Sequence, residues 1–208
     1  MNNYRKLTAV LIGSWFIFSL AASELHLYRI GAGTLPLPLP LGIAVLTPII
    51  LFLVWFFSSA NFRQFTMSLD PRLLTMVQSW RTGGFVFLVL ATYGILPGLF
   101  ALPAGWGDIV IGATAPMVAL KLTNARHRGA FVLWQFLGIA DLLTAITLGA
   151  LAGVIDPHGI PTDAMTVLPM SLIPTFAVPL LAIFHIICIA QSRRLPINRN
   201  LSVGRPAI

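Results

Sequence analysis

Two aspartates, Asp108 and Asp141, are the residues most suited to chemistry in this sequence, because each lies inside a long apolar segment. An ionisable side chain in lipid is costly and marks a candidate functional site. Small residues recur at helical spacing beside both of them. They are Gly105, Gly112, Ala115 and Ala119 in the first segment, and Gly138, Ala145, Gly149 and Ala152 in the second. We expect the two stripes to face each other, so that closely packed helices bring both carboxylates into one site.

A site with two carboxylates would bind protons or a cation. Two such groups in apolar surroundings cannot both ionise cheaply, so one should hold a proton near neutral pH. The predicted position of Asp141 in mid-helix favours a functional role, because a side chain there cannot cap a helix end. Asp108 also fits a structural role, since Gly105-Trp-Gly-Asp108 is compatible with an ordinary N-terminal cap.

Three polar side chains at similar depths are candidate partners of the aspartates. Tyr93 is predicted near the middle of its span, and Gln135 and His185 lie nearer the cytoplasm. With Asp108 and Asp141 they form the predicted proton or solute site. A lone membrane histidine is more often a packing residue than a ligand, and a bis-histidine haem is excluded for a monomer, because the spans contain no second histidine. We predict no metal site and no cofactor.

Composition places these residues in a membrane. Of 208 residues, 57% are hydrophobic and 9% are charged, against about 25% charged in a soluble domain. Segments long enough to span a bilayer lie at about 7–23, 41–57, 83–102, 104–122, 130–155 and 169–190. We therefore predict an all-α integral membrane protein whose residues 1–190 form a single six-span bundle. The first segment also fits the pattern of a cleaved signal peptide.

The segments between the spans carry their own signals. Asp70-Pro71 is typical of a helix start, and residues 71–82 are predicted to form an amphipathic helix at the cytoplasmic interface that runs into the third span. The Leu-Pro alternation at 35–40 predicts an extended connection. Pro48 predicts a kink in the second span. Residues 191–208 are predicted to be a polar, basic and mobile cytoplasmic tail.

The formal charge of +7 is distributed unevenly along the chain. With six spans, twelve lysines and arginines fall on one side and only Arg29 falls on the other. The positive-inside rule then places both termini in the cytoplasm, and we predict a bacterial cytoplasmic (inner) membrane. The basic surface would attract anionic lipid. Nucleic acid binding is not expected, because no folded basic domain presents these charges.

One short motif bears on enzymatic activity. Gly105-Trp-Gly-Asp108 resembles the Gly-x-Gly-Asp motif of intramembrane aspartyl proteases such as presenilins and prepilin peptidases, in which a second membrane aspartate completes a dyad that activates water. The resemblance covers four residues. It would assign Asp141 as the second aspartate, although the family places its other aspartate upstream and its dyad nearer the cytoplasm. Other common hydrolase and phosphate-binding motifs are absent from the sequence.

Three functions remain open at this point. The leading hypothesis is a small proton-coupled carrier or permease-like protein for a small solute, with proline-broken helices two and six supplying mobility. The first alternative is a non-catalytic membrane subunit or assembly factor, in a homo- or hetero-oligomer, whose aspartates are structural. The second alternative is a membrane-embedded enzyme acting on lipid or peptide.

Overall fold

The computed structural model describes residues 2–29 and 39–195, and within these ranges the chain is helical and contains no strand. The principal α-helices are α1 (Asn2–Glu24), α2 (Leu39–Ser58), α3 (Ala60–Met67), α4 (Pro71–Val77), α5 (Phe85–Thr92), α6 (Gly98–Lys121), α7 (Arg128–Ile155) and α8 (Val178–Gln191). A 3₁₀ turn, Gln78–Gly84, joins α4 to α5, and a π-helical turn, Ile173–Ala177, leads into α8. The Leu-Pro connection predicted at 35–40 lies mostly outside the described residues.

Six helices are long and apolar enough to cross a membrane, as predicted. They run over Asn3–Glu24, Leu39–Ser58, Pro71–Thr92, Gly98–Lys121, Ala125–Ile155 and Ile173–Arg194. Many of their large apolar side chains point away from the bundle, as lipid-facing residues do. The all-helical class and the number of candidate spans are therefore confirmed.

The third span differs most from its predicted position. It begins at Pro71, where Asp70 caps α4 by accepting from the backbone N–H of Arg72 at 2.8 Å, and it ends at Thr92 rather than at 102. Residues 71–82 are thus not an interfacial helix beside the bundle, which corrects the prediction. They form the first half of this span, and Leu74, Gln78 and Arg81 are buried in it.

Asp108 also lies elsewhere than expected. The helix that carries it begins at Gly98, so Asp108 falls in the middle of α6 and Pro103 lies inside the helix rather than in a connection. Because the backbone N–H groups that follow Asp108 already bond within the helix, its side chain is not an N-terminal cap. The capping interpretation of this residue was wrong.

The basic residues collect at one end of the bundle, which we call the basic end. Of the described lysines and arginines, nine lie there and Arg29 lies at the opposite end. The nine are Arg5, Lys6, Arg63, Arg72, Lys121, Arg126, Arg128, Arg193 and Arg194. Arg81 belongs to neither end. Helical structure continues to Arg194, and Gln191 is buried and donates to the carbonyls of Thr66 and Leu69, so the predicted tail begins later than residue 191.

A proline on α8 provides the attachment point for α1. Pro179 has no backbone N–H, so the carbonyl of Thr175, four residues earlier, lacks its helical donor. Trp15 donates its indole N–H to this carbonyl at 3.1 Å, and the Ser19 hydroxyl lies 3.5 Å from it. Ser23 and Ser171 add a hydrogen bond one turn away, at 2.8 Å. The first span is thereby bound to the last.

Candidate functional site

The structure brings Asp108 and Asp141 together through a residue that sequence reasoning placed at the membrane edge. Arg81, on the 3₁₀ turn of the third span, is 3% exposed. Its Nε donates to Oδ1 of Asp108 at 2.7 Å, and its Nη2 donates to Oδ2 of Asp141. Its Nη1 donates to the carbonyl oxygen of Gly138 at 3.2 Å. One guanidinium therefore joins the third span to both α6 and α7.

The charges of this ion cluster, Arg81, Asp108 and Asp141, do not balance. One guanidinium carries a single positive charge, and two ionised carboxylates carry two negative charges. The cluster is therefore at net −1 when both carboxylates are ionised and neutral when one holds a proton. Because charge is costly inside the bundle, the excess negative charge favours binding of one proton or one cation.

A hydrogen-bonded chain extends from the ion cluster toward the basic end. The Nη1 of Arg81 lies 3.4 Å from Nε2 of His185, and Nδ1 of that ring contacts Oε1 of Gln135. Gln135 donates in turn to the hydroxyl of Thr75 at 3.2 Å, which donates to the carbonyl of Pro71 at 2.7 Å. Arginine can only donate hydrogen bonds, so Nε2 of His185 accepts from Arg81. The Nδ1–H of His185 then donates to Oε1 of Gln135.

Glycines allow the helices to come this close around the cluster. A Cβ at Gly107 would overlap the Asp141 carboxylate, and a Cβ at Gly138 would overlap the His185 ring. A Cβ at Gly112 would lie 2.9 Å from the carbonyl carbon of Arg81. The ion cluster therefore requires glycine, which has no side chain, at these three positions, in addition to its charged groups.

Three of the four glycines in the two small-residue stripes meet helices other than the predicted partner. Gly105 packs on the third span, where a Cβ would be 2.6 Å from Leu88, and Gly112 faces the same span at Thr82. Gly138 faces α8 instead. Gly149 does meet α6, through the ring of Phe100. The close contact of α6 with α7 at the cluster comes from Gly107, which the stripes did not include.

Of the five predicted site residues, four lie in or beside the ion cluster. Asp108 and Asp141 belong to it, and Gln135 and His185 form the chain that leads away from it; the latter two are fully buried. Tyr93 is 77% exposed at the end of α5 and is remote from these contacts. Among the described residues no group of three or more histidine, cysteine or acidic side chains is arranged to hold a metal ion.

Comparison with known proteins identifies the family but no activity. Residues 37–192 match the model of a family described as a domain of unknown function, DUF8737. The chain belongs to this family. No curated protein and no solved structure matches the chain. The matched region contains the whole ion cluster and its hydrogen-bonded chain, whereas α1 lies outside it.

A cavity of about 310 Å³ adjoins the ion cluster on the side away from the basic end. Helices α2 and α7 and the segment 162–178 supply most of its wall, and α6 contributes Phe100 and Asp108. Asp108 is part of the wall. The same carboxylate therefore belongs to the ion cluster and borders an apolar chamber.

Replacing Gln135 with leucine is expected to lower the free energy of unfolding by about 1–3 kcal/mol, because the buried Nδ1–H of His185 loses its acceptor. The measurement is reversible unfolding in mixed detergent micelles. Phe136→Leu is the matched control, since Phe136 is 54% exposed on the next position of the same helix. Equal stability of the two variants would show that the chain beyond Arg81 contributes nothing.

Proposed function

We propose that the protein is a small proton-coupled carrier of a bacterial cytoplasmic membrane, with both termini in the cytoplasm and anionic lipid at its basic end. The observation that carries this proposal is that the Asp108 side chain takes part in two features: it accepts a hydrogen bond from Arg81 and it also lines the apolar cavity. A change in what Asp108 binds is thereby communicated to Arg81. A site of this kind can couple a proton to a solute.

Protonation would act on the packing of three spans. When both carboxylates are ionised, Arg81 holds α6 and α7 against the third span by two charge-assisted hydrogen bonds. A proton on either carboxyl removes one of these attractions and neutralises the cluster. The relative free energies of two arrangements of the helices then depend on protonation, which alternating access requires. The π-helical turn Ile173–Ala177, which contributes to the cavity wall, offers an irregular segment at which α8 can bend.

A second candidate function is that of a non-catalytic membrane subunit, and one observation favours it. The side chain of Arg81 is only 1% exposed, and its hydrogen bonds all end within the bundle. Such a cluster would have a structural role as a strut, that is, it would only hold the third span, α6 and α7 together. An aspartyl protease fits the geometry less well, because its two carboxyls adjoin each other and share a proton, whereas here the guanidinium of Arg81 lies between them.

Labelling with a hydrophobic carbodiimide tests the proposed function. The reagent modifies protonated carboxyls in apolar surroundings, so we expect modification of Asp108 or Asp141 that rises as the pH falls from 9 to 5. The modified residue is identified by mass spectrometry of the protein in nanodiscs. Asp163, exposed outside the spans, is the internal control and should remain unmodified at neutral pH.

The variants Asp108→Asn and Asp141→Asn separate the two candidate functions. A carrier requires that at least one variant retains the parent's thermal stability while losing its labelled site. If neither aspartate reacts at any pH and both variants unfold at lower temperature than the parent, the cluster is a strut and the carrier proposal fails.

A further inference from the structure

The cavity beside the ion cluster has a wall that is almost entirely apolar. Its polar members are Asp108, Thr162 and Thr166, and Asp108 is the only charged residue among the described residues that line it. The large apolar side chains on the wall include Leu41, Phe87, Phe100, Leu142, Met165 and Val178. A volume of about 310 Å³ lies at the lower end of the range for small-molecule sites, about 300–1,000 Å³. The dimensions suit a compact or short-chain molecule.

Asp108, which belongs to this wall, has an unused acceptor oxygen. Its Oδ1 accepts from Arg81, while its Oδ2 has no hydrogen-bond partner among the described residues. The side chain is 18% exposed although it lies in the middle of α6. A carboxylate oxygen can accept more than one hydrogen bond, so a donor inside the cavity could bind to Asp108 without displacing Arg81.

We infer that the cavity binds a small, largely apolar molecule that carries one cationic amine, with the amine against Asp108 and the apolar part against the surrounding wall. Charge complementarity selects this class of ligand, because one ammonium group neutralises the net −1 of the ionised cluster. An anion would add to the excess negative charge. A neutral apolar chain would fill the chamber and leave the charge without compensation.

This inference names the substrate class of the proposed carrier and rests on that function for its physiological meaning. It also relates the amine to the proton, because either of them neutralises the same net −1 charge of the ion cluster. Their binding to the cluster is therefore mutually exclusive. An exchange of one amine for one proton across the membrane follows from this competition.

Equilibrium binding of radiolabelled n-octylamine to the protein in nanodiscs tests the inference, with empty nanodiscs subtracted. Unlabelled n-octanol, which has the same chain without the charge, is the competing ligand. We expect saturable binding of the amine, at least tenfold weaker competition by the alcohol than by unlabelled amine, and at least tenfold weaker amine binding in Asp108→Asn.

A cavity-filling pair of variants keeps the test independent of the ion cluster. Gly42 lines the cavity, and a Cβ there would meet no atom within 4 Å, so the side chain of Gly42→Phe has room to begin and should occupy part of the chamber. Gly13 is equally open but lies away from the cavity, so Gly13→Phe is the matched control. We expect at least a tenfold loss of octylamine binding in Gly42→Phe and no change in Gly13→Phe.

Two results would overturn the inference. The first is the absence of saturable octylamine binding in the parent protein. The second is equal competition by alcohol and amine together with undiminished binding in Asp108→Asn, since the chamber would then accept an apolar chain, such as that of a lipid, regardless of charge. Neither result bears on the carboxyl labelling described above, which requires no ligand, so failure of this inference and failure of the carrier proposal are distinguishable.

Discussion

Replacement of Arg81 with methionine is expected to destabilise the protein by about 3–5 kcal/mol, the range found when one partner of a buried ion pair is removed. Methionine retains much of the apolar stem and loses the guanidinium. The carboxylates of Asp108 and Asp141 would then lie in the bundle without a counter-charge. The free energy of unfolding in mixed micelles gives the effect, with Arg63→Met, at an exposed position of α3, as the control.

The triple variant Arg81→Met, Asp108→Asn, Asp141→Asn separates charge from packing. Because it removes all three charges, we expect it to recover most of the stability that Arg81→Met loses, as replacement of whole buried ion clusters by neutral groups often does. Arg81→Lys should fall between parent and methionine, since one ammonium group cannot reproduce the fork that binds two carboxylates and a carbonyl. A single variant Arg81→Met as stable as the parent would mean that the ion cluster does not hold the helices together.

Substitution of Gly112 by alanine is expected to disrupt the packing of α6 on the third span. The new Cβ would lie against backbone atoms of Arg81 and Thr82, which cannot rotate away as a side chain can. Relief requires α6 and the third span to separate. We expect a loss of about 2–3 kcal/mol, in the range for overpacking of a tight core, and a larger loss for Gly112→Val.

Gly83→Ala is the matched control for this experiment. Gly83 lies in the same 3₁₀ turn as Arg81, yet a Cβ there would meet no atom within 4 Å. We expect it to change stability by no more than about 0.5 kcal/mol. If thermal unfolding reports equal midpoints for the two alanine variants, α6 and the third span are not packed as tightly at Gly112 as the geometry indicates.

The number of candidate spans could be predicted from the sequence, because segments of about 20 apolar residues separated by charged turns are a strong signal. The position of the third span could not. The helix start at Asp70-Pro71 is evident in the sequence, but an arginine such as Arg81 normally marks the membrane edge, which favours a span that begins after it. Counting about 20 residues from Pro71 would have ended the helix at the turn formed by Tyr93 and Gly94.

The candidate site was predictable in part for a related reason. Buried aspartates are conspicuous in an apolar sequence, and Asp108 and Asp141 do approach the same point. Their counter-charge was missed because an arginine near a predicted helix end is normally solvated. Two aspartates in mid-span with no cation assigned to them were the available signal that one basic residue had to lie inside the bundle.

The glycine pattern failed for a different reason. Spacing along one helix identifies which small residues share a face, but it does not say which neighbour that face meets. Gly105 and Gly112 meet the third span, Gly138 meets α8, and the contact of α6 with α7 at the ion cluster falls to Gly107. The identity of the helix that each glycine meets depends on the arrangement of all the helices in the bundle.

The attachment of α1 through Pro179 has a consequence for biosynthesis. The indole of Trp15 is synthesised 160 residues before the Thr175 carbonyl that it binds. Helix α1 therefore obtains this hydrogen bond only after α2 to α7 have been synthesised. Until that carbonyl is synthesised, the Trp15 indole N–H lacks this acceptor, and the packing of α1 rests on contacts with earlier elements, such as those of the Tyr4 ring with Trp55 of α2 and Phe65 of α3.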